Sequence, residues 1–283
     1  MPNVVAIDDG RDPRLADYGG VREPAWLRDR GLLIAEGRFV VRRLLQSTRI
    51  KVRSLLHNAA ALHGLADAVD AADPSIAVYV AAPDVIRAAT GFHMHRGCLA
   101  LAERPVPVSL EAVLSSGRFV AVLERVVDPD NVGSIFRAGE AFGVDAVLLS
   151  PGCADPFYRK AIRTSSGAAL VVPFAQAEPW PDTLDRLRAG GFGIAAMTPD
   201  LAATDIGTFA GTAAAPGRLA VVFGTEGQGL TVEARARADV CVRIPMSGDL
   251  DSLNVAAAAA IVLHRLHEVR SGAHRTSAAR GST

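Results

Sequence analysis

The stretch VVFGTEGQGL at 221–230, taken with CVRIPM at 241–246 and SLNVAAAA at 252–259, decides the fold class of this chain. The first two are short apolar, β-branched runs, and the first empties into a glycine-rich loop with one carboxylate, Glu226. The third sets Ser252 and Asn254 at the start of an alanine-rich helix. Small residues and polar side chains gathered at strand ends mark a ligand crevice in an open α/β sheet.

Outward from this stretch the pattern repeats. Strands are predicted in FVAVLERV, AVLLS, ALVVPFA, FGIAAM, LAVVFG and CVRIP, and helices in NVGSIFRAGEAFG, PFYRKAIRTS, TLDRLRAG and SLNVAAAAAIVLHRLHEVR. Strand and helix alternating at this spacing predict a parallel sheet covered by helices over 118–270. Upstream, helices in GRFVVRRLLQS and PDVIRAATG, a short strand followed by another helix in IKVRSLLHN, and strands in SIAVYVAAP and GCLALAE predict a smaller α/β unit over 31–105. Residues 1–30, broken by Pro13, Gly19, Gly20 and Pro24, predict an extended or partly helical N-terminal arm. Pro105 and Pro107 mark a linker at 106–117, and 271–283, small and polar with no apolar face, predicts a disordered tail.

The 283 residues suffice for two modest domains, and 49% hydrophobic with 21% charged is ordinary for a soluble globular protein. No apolar run approaches the ~18 residues of a membrane span, and the opening, with Asp8 and Asp9, lacks a secretory pattern, so a cytoplasmic address is expected. Cys98, Cys153 and Cys241 lie far apart with no C-x-x-C pair, which predicts reduced, small apolar residues. Net charge is zero, yet Arg38, Arg42, Arg43, Arg49, Lys51 and Arg53 crowd 38–53 without an acid. Such a run is either a solvated helix surface or a nucleic-acid face.

Several motifs fail on inspection. The glycines at 224, 227 and 229 follow neither the G-x-G-x-x-G order of a dinucleotide fold nor a P-loop, which disfavours a dehydrogenase. The segment DPDNVGSIFRAG begins like a calcium loop, but Val132 occupies a ligand position and Gly139 sits where the bidentate glutamate belongs. His93 and His95 alternate as metal ligands on a strand do, but no third ligand lies nearby, so no metal is expected. There is no G-x-S-x-G nucleophile elbow, and Ser252 has no evident His and Asp companions. Arg137, six residues after Asn131 on a helix, could meet it only if Asn131 lies in the preceding loop and folds back; otherwise it is a surface ion-pair partner.

In order, N-V-G-S-I-F-R (131–137), F-G-T-E-G-Q-G-L (223–230) and I-P-M-S-G-x-x-x-S-L-N-V (244–255) resemble the three signature motifs of the SpoU (TrmH-like) family of SPOUT RNA methyltransferases. D-P-F-Y-R-K-A-I-R-T-S-S-G-A (155–168) is similar to the family's segment after its second strand, and 32–102 is similar to its small ribosomal-protein-like substrate domain. The resemblance implies a deep trefoil knot near the C-terminus, which runs against general topology rules. It also implies S-adenosylmethionine held by Gly224, Thr225, Gly227, Ile244, Met246 and Leu253, and a homodimer through the C-terminal domain. The stripe Val255, Ile261, Val262, Leu266 and Val269 suits that interface, or else packs on its own sheet.

The implied chemistry is methyl transfer to a ribose 2′-hydroxyl of rRNA or tRNA. Arg137 matches the family's catalytic arginine; because a guanidinium resists deprotonation, charge stabilisation or phosphate binding suits it better than a base's role. Asn131, Glu226, Ser252 and Asn254 match the remaining motif positions and would orient Arg137, the ribose and the cofactor loop. Arg38, Arg42, Arg43, Arg49, Lys51, Arg53 and Arg96 then become candidate RNA contacts. Ala138-Gly139 stands for a more usual Thr-Ala, Arg96 for a frequent glutamine, and Asp249 and Asp251 add negative charge beside the third motif. A non-catalytic RNA-binding or ribosome-assembly factor that kept the fold is the alternative.

Overall fold

The computed structural model describes residues 3–92, 97–213, 217–247 and 252–280. In the first part of the chain lie β1 (Asn3–Ile7), α1 (Pro24–Asp29), β2 (Leu32–Glu36), α2 (Arg38–Leu45), β3 (Val52–His57), α3 (Ala59–His63), α4 (Ala66–Asp70), β4 (Ala77–Ala81), α5 (Pro83–Thr90) and β5 (Cys98–Glu103). Next come α6 (Leu110–Ser116), β6 (Phe119–Glu124), α7 (Pro129–Ala141), β7 (Ala146–Leu149), α8 (Arg159–Thr164), β8 (Phe174–Gln176) and α9 (Asp182–Ala189). The chain continues through β9 (Phe192–Met197), β10 (Thr204–Asp205), α10 (Ile206–Ala213), β11 (Arg218–Gly224), α11 (Val232–Ala236), β12 (Val240–Arg243) and α12 (Val255–Arg280). Two compact units result, Met1–Val106 with Asp155–Val171, and Pro107–Ala154 with Val172–Thr283.

The first unit is a mixed sheet in the order β1-β4-β3-β5-β2. β4 runs parallel to β1 and β3, whereas β5 is antiparallel to β3 and β2. Residues 3–30 are part of this unit rather than an arm. β1 pairs with β4 from Asn3↔Ala77 to Ile7↔Ala81, and Leu15, Tyr18, Val21 and Leu27 are buried in the core behind it. A five-residue strand offers too little alternation to be seen in sequence, and the Pro and Gly breaks beside it mask the core positions.

Residues 155–171 also belong to this unit, where α8 packs on β2. Two half-buried ion pairs hold them: Arg104 grips both oxygens of Asp155 at 2.7 and 2.8 Å, and Arg159 bonds the buried Glu36. A guanidinium fork on a carboxylate fixes direction as well as distance. The helical pattern in this segment is therefore real, but it covers the first sheet and not the second.

The second unit is a seven-stranded sheet, β10-β12-β9-β11-β6-β7-β8, parallel throughout. Sheets of this kind bury both faces, which is why FVAVLE reads as an unbroken apolar run with all six residues buried. Val120, Val122, Leu148, Ile194, Ala220 and Val222 form the core on one face, joined by Leu184 and Leu187 of α9. Their alternates Ala121, Leu123, Val147, Leu149, Val221 and Phe223 are as fully enclosed.

Three expectations need correction here. The span 106–117 is no linker: Ser109 caps α6 through Ala112 N at 3.1 Å, and Leu110 and Val113 enter the core of the second unit. ALVVPFA is mostly not strand, because Gly167 takes φ +83 and starts a 3₁₀ turn over Ala168–Leu170, leaving only β8 extended. Instead of giving way to a disordered tail at 271, α12 runs on to Arg280, through a stretch that holds no proline to stop it. In α12, Val255, Val262 and Leu266 of the apolar stripe are buried by their own chain, where the helix packs on α7, α10 and β11, and Ile261 stays 44% exposed.

Candidate active site

Within the second unit, β12, β9 and β11 are sheet neighbours, so their C-terminal ends deliver three loops to one edge. A cavity of about 570 Å³ opens there, lined from β9 by Met197, Thr198, Pro199 and Asp200, from β11 by 223–230, from β12 by Ile244 and Met246, and by Ser252 to Val255 at the head of α12. Gly224, Thr225, Gly227, Ile244, Met246 and Leu253 all line it, as do Glu226, Ser252 and Asn254.

The loop after β11 is a tight fold. Gly229 N bonds Thr225 O at 2.9 Å, and Gly227 and Gly229 adopt φ of +80 and +65, which side-chain-bearing residues rarely accept. Gly224 is required for a different reason. A Cβ there would lie 2.3 Å from Gly229 C and 2.4 Å from Leu230 N, inside the backbone it must pass. The cradle therefore exists only because residue 224 has no side chain.

The far end of the loop is tied to β6. Glu124, paired in register with Gly224 and only 1% exposed, accepts from Thr231 N at 2.8 Å, Thr231 Oγ1 at 2.7 Å and Trp180 Nε1 at 2.7 Å. A buried carboxylate is tolerated only with such partners. Sequence reasoning missed Glu124; its signal was a lone carboxylate closing an otherwise apolar strand. The loop 198–200 and Arg235, the cation among the described lining residues, were missed too.

At the cavity wall three side chains from three distant segments join. Asn131 Nδ2 donates to Glu226 Oε1 at 3.0 Å, and Asn254 Nδ2 donates to both Asn131 Oδ1 at 3.0 Å and Glu226 Oε1 at 2.5 Å. The other end of the Asn254 amide caps α12, where Oδ1 accepts from Ala256 N at 2.9 Å and Ala257 N at 3.2 Å. Its orientation is thereby set, with donors facing the loop.

Arg137 is not in this group. Asp128 caps α7 through Asp130 N, so Asn131 lies inside the helix and not in a loop that could fold back. Six residues on, a helical position is turned roughly 240° and raised about 9 Å. Asn131 accordingly faces inward, whereas Arg137 is exposed, does not line the cavity and makes no hydrogen bond or ion pair among the described residues.

The basic run lies in the first unit, and its charge is partly spent. Arg42 pairs with Asp67, whose carboxyl it holds down to about 2 through their hydrogen bonds. Lys51 and Arg53 share Glu103, Arg43 NH1 donates to Ser166 O at 3.1 Å, and Arg49 leans on Val171 O at 3.4 Å. The acids that neutralise this face come from 67 and 103, beyond the reach of a local charge count. Arg96, His93, His95, Asp249 and Asp251 lie outside the described residues. Among the described residues no group of three or more His, Cys, Asp or Glu could hold a metal ion, and no helix is long and apolar enough to cross a membrane.

The profile of the SpoU rRNA Methylase family matches residues 118–264. An uncharacterized tRNA/rRNA methyltransferase of Mycobacterium tuberculosis (strain ATCC 25618 / H37Rv) is 43% identical over 276 residues, 96% of this chain and 94% of that protein. The 23S rRNA (guanosine(2553)-2′-O)-methyltransferase RlmP of Bacillus subtilis (strain 168) is 29% identical over 194 residues, 69% of this chain and 74% of that protein. A solved RNA 2′-O ribose methyltransferase superposes with a TM-score of 0.76 at 25% identity, covering 94% of this chain and 99% of the other. With residues of its second and third motifs lining one glycine-cradled cavity, and with similarity running along nearly its whole length, the chain belongs to the SpoU rRNA methylase family.

Proposed function

We propose that this protein is a cytoplasmic, homodimeric S-adenosylmethionine-dependent RNA methyltransferase that modifies a ribose 2′-hydroxyl of rRNA or tRNA. One observation carries the reading: Asn131 is hydrogen-bonded to Glu226 and Asn254, which line a cavity whose loop can fold back tightly only because Gly224 has no Cβ. The volume of about 570 Å³ lies in the range of a cofactor site, and its lining combines apolar Phe223, Ile244 and Leu253 with polar groups at the rim. S-adenosylmethionine supplies a methyl group on a sulfonium, already a good electrophile.

What remains for the protein is alignment and proton management. Backbone at Gly224, Thr225, Gly227, Ile244, Met246 and Leu253 would hold the cofactor, and Arg235, which also lines the cavity, would supply a cation for its carboxylate. Asn131, Glu226 and Asn254 would form a hydrogen-bonding wall, and the exposed Ser252, which lines the cavity, would meet the incoming ribose. Arg137 would stabilise charge developing on the 2′-oxygen or bind the neighbouring phosphate, a contribution of about 3 kcal/mol for a donor of this kind. Because α7 turns Arg137 away from its own cavity, we infer that homodimer pairing brings it to the partner's. We also propose that the C-terminal segment is knotted; β11 lies between β6 and β9, and the head of α12 shares the cavity with the loop that follows β11. The first unit, with Arg38, Arg42, Arg43, Arg49, Lys51 and Arg53, would recognise RNA.

The test is transfer of labelled methyl from S-adenosylmethionine to separated rRNA and tRNA pools, followed by mapping of alkali-resistant ribose linkages. Label in one pool at a single resistant linkage is expected. Label on a base, or none in either pool, overturns the assignment.

A further inference from the structure

α2 buries Val40, Val41 and Leu44 but leaves Phe39 60% exposed. An aromatic ring so exposed forgoes much of the stabilisation that burial gives an apolar side chain. Its surroundings are arranged and not incidental. The Arg43 guanidinium sits 5.9 Å from the Phe39 ring centroid and is pinned by its hydrogen bond to Ser166 O at 3.1 Å. Ser166 itself adopts φ +53, a left-handed conformation that strains a non-glycine residue. Gly167 follows at φ +83, and a Cβ there would meet Arg43 Cδ at 3.4 Å. Thus a strained Ser-Gly turn presents the carbonyl that holds Arg43 beside Phe39. Arg42, on the same helix, is already matched by Asp67, and the Arg38 side chain lies against Gly64, where an added Cβ would fall 2.7 Å from Arg38 NH1.

An open aromatic face beside a fixed guanidinium is the chemistry that receives an unstacked nucleobase with its phosphate. Every base has a π-face for the ring, and arginine serves both the base plane and the backbone charge. We propose that Phe39, with Arg43, is a stacking platform for a single-stranded nucleobase of the RNA substrate. The proposal rests on the RNA-modifying reading given above but concerns a separate surface, on the first unit.

The test uses the full chain, a fluorescein-labelled 12-nucleotide oligoadenylate and an abasic ribose-phosphate 12-mer of equal charge, in anisotropy titrations at one salt concentration. Wild type is expected to bind oligoadenylate about tenfold more tightly than the abasic strand, within the range of one base stacked on an aromatic ring. Phe39→Ala should erase that gap without weakening the abasic strand, and Phe39→Trp should preserve it. Unchanged S-adenosylmethionine binding by calorimetry checks that each variant is folded. Oligoadenylate affinity unaltered in Phe39→Ala, or no base preference in the wild type, overturns the platform. So does a change of oligomeric state by light scattering, which would put the ring between copies of this chain. Methyl transfer to cellular RNA by the wild type, run in parallel, separates the two readings. Transfer without Phe39-dependent binding removes only the platform, and Phe39-dependent binding without transfer removes only the enzymatic assignment.

Discussion

Asn254→Asp separates the two jobs that one amide performs. The substituted carboxylate keeps an acceptor for Ala256 N and Ala257 N, so the α12 cap, worth about 1 kcal/mol, survives. What changes is the side facing the loop, where Asn254 now donates to Asn131 Oδ1 at 3.0 Å and to Glu226 Oε1. Losing those two donors costs about 1 kcal/mol each at an exposed site. A second negative charge roughly 3 Å from Glu226 adds about 1.4 kcal/mol even in water. Because Glu226 rides on an exposed loop, that loop can swing away, so the loss of about 3 kcal/mol falls on the site and not on the fold. Methyl transfer should drop about 10²-fold in kcat/KM while the melting temperature stays within a degree or two of wild type. Asn254→Ala gives up the cap as well and should melt about 2–4 °C lower. The assay pairs labelled methyl transfer with thermal denaturation on both variants. Wild-type kcat/KM in Asn254→Asp would refute the reasoning, and equal melting of the two variants would remove the cap from it.

Gly224→Ala drives a Cβ to 2.3 Å from Gly229 C, so the loop must retreat by about an ångström, and calorimetry should show at least a 10²-fold loss of S-adenosylmethionine affinity; retained affinity would mean the cofactor lies elsewhere. Arg137→Ala should lower transfer about 10²-fold while cofactor still binds. Mixing it with Asn254→Asp should restore activity in hybrid dimers, which then hold one intact pairing, and a mixture no better than its parts would place Arg137 at its own cavity. His57 is buried with neither ring nitrogen partnered, and burial pulls its pKa down to about 4. The unfolded chain therefore binds a proton first, so stability should fall as pH drops from about 6.5 to about 4, by about 3 kcal/mol in total. Melting curves across that range should lose this component in His57→Leu, and an unchanged slope would contradict it.

The family motifs were legible because each carries its reason in a few adjacent residues. G-T-E-G-Q-G must be a tight loop, and Asn254 before an alanine run is a helix cap, whatever else the chain does. The strands of the parallel sheet were legible as well, since burial on both faces leaves continuous apolar runs such as FVAVLE. β1 and α6 were not, being short and bordered by proline and glycine, and so they passed for an arm and a linker. The charge count at 38–53 misled in the same way, because the acids that answer it, Asp67 and Glu103, come from other elements.

The amino-acid sequence alone determined the α/β class, the cavity-lining residues at 224–227 and 252–254, and the kinship, all properties of local pattern and order. Only the tertiary structure decided that Asn131 meets Glu226 and Asn254, that Glu124 anchors the loop, and that Arg137 faces away. Those outcomes depend on strand register and helix phase, which bring together atoms about a hundred residues apart and which no window of neighbouring residues contains.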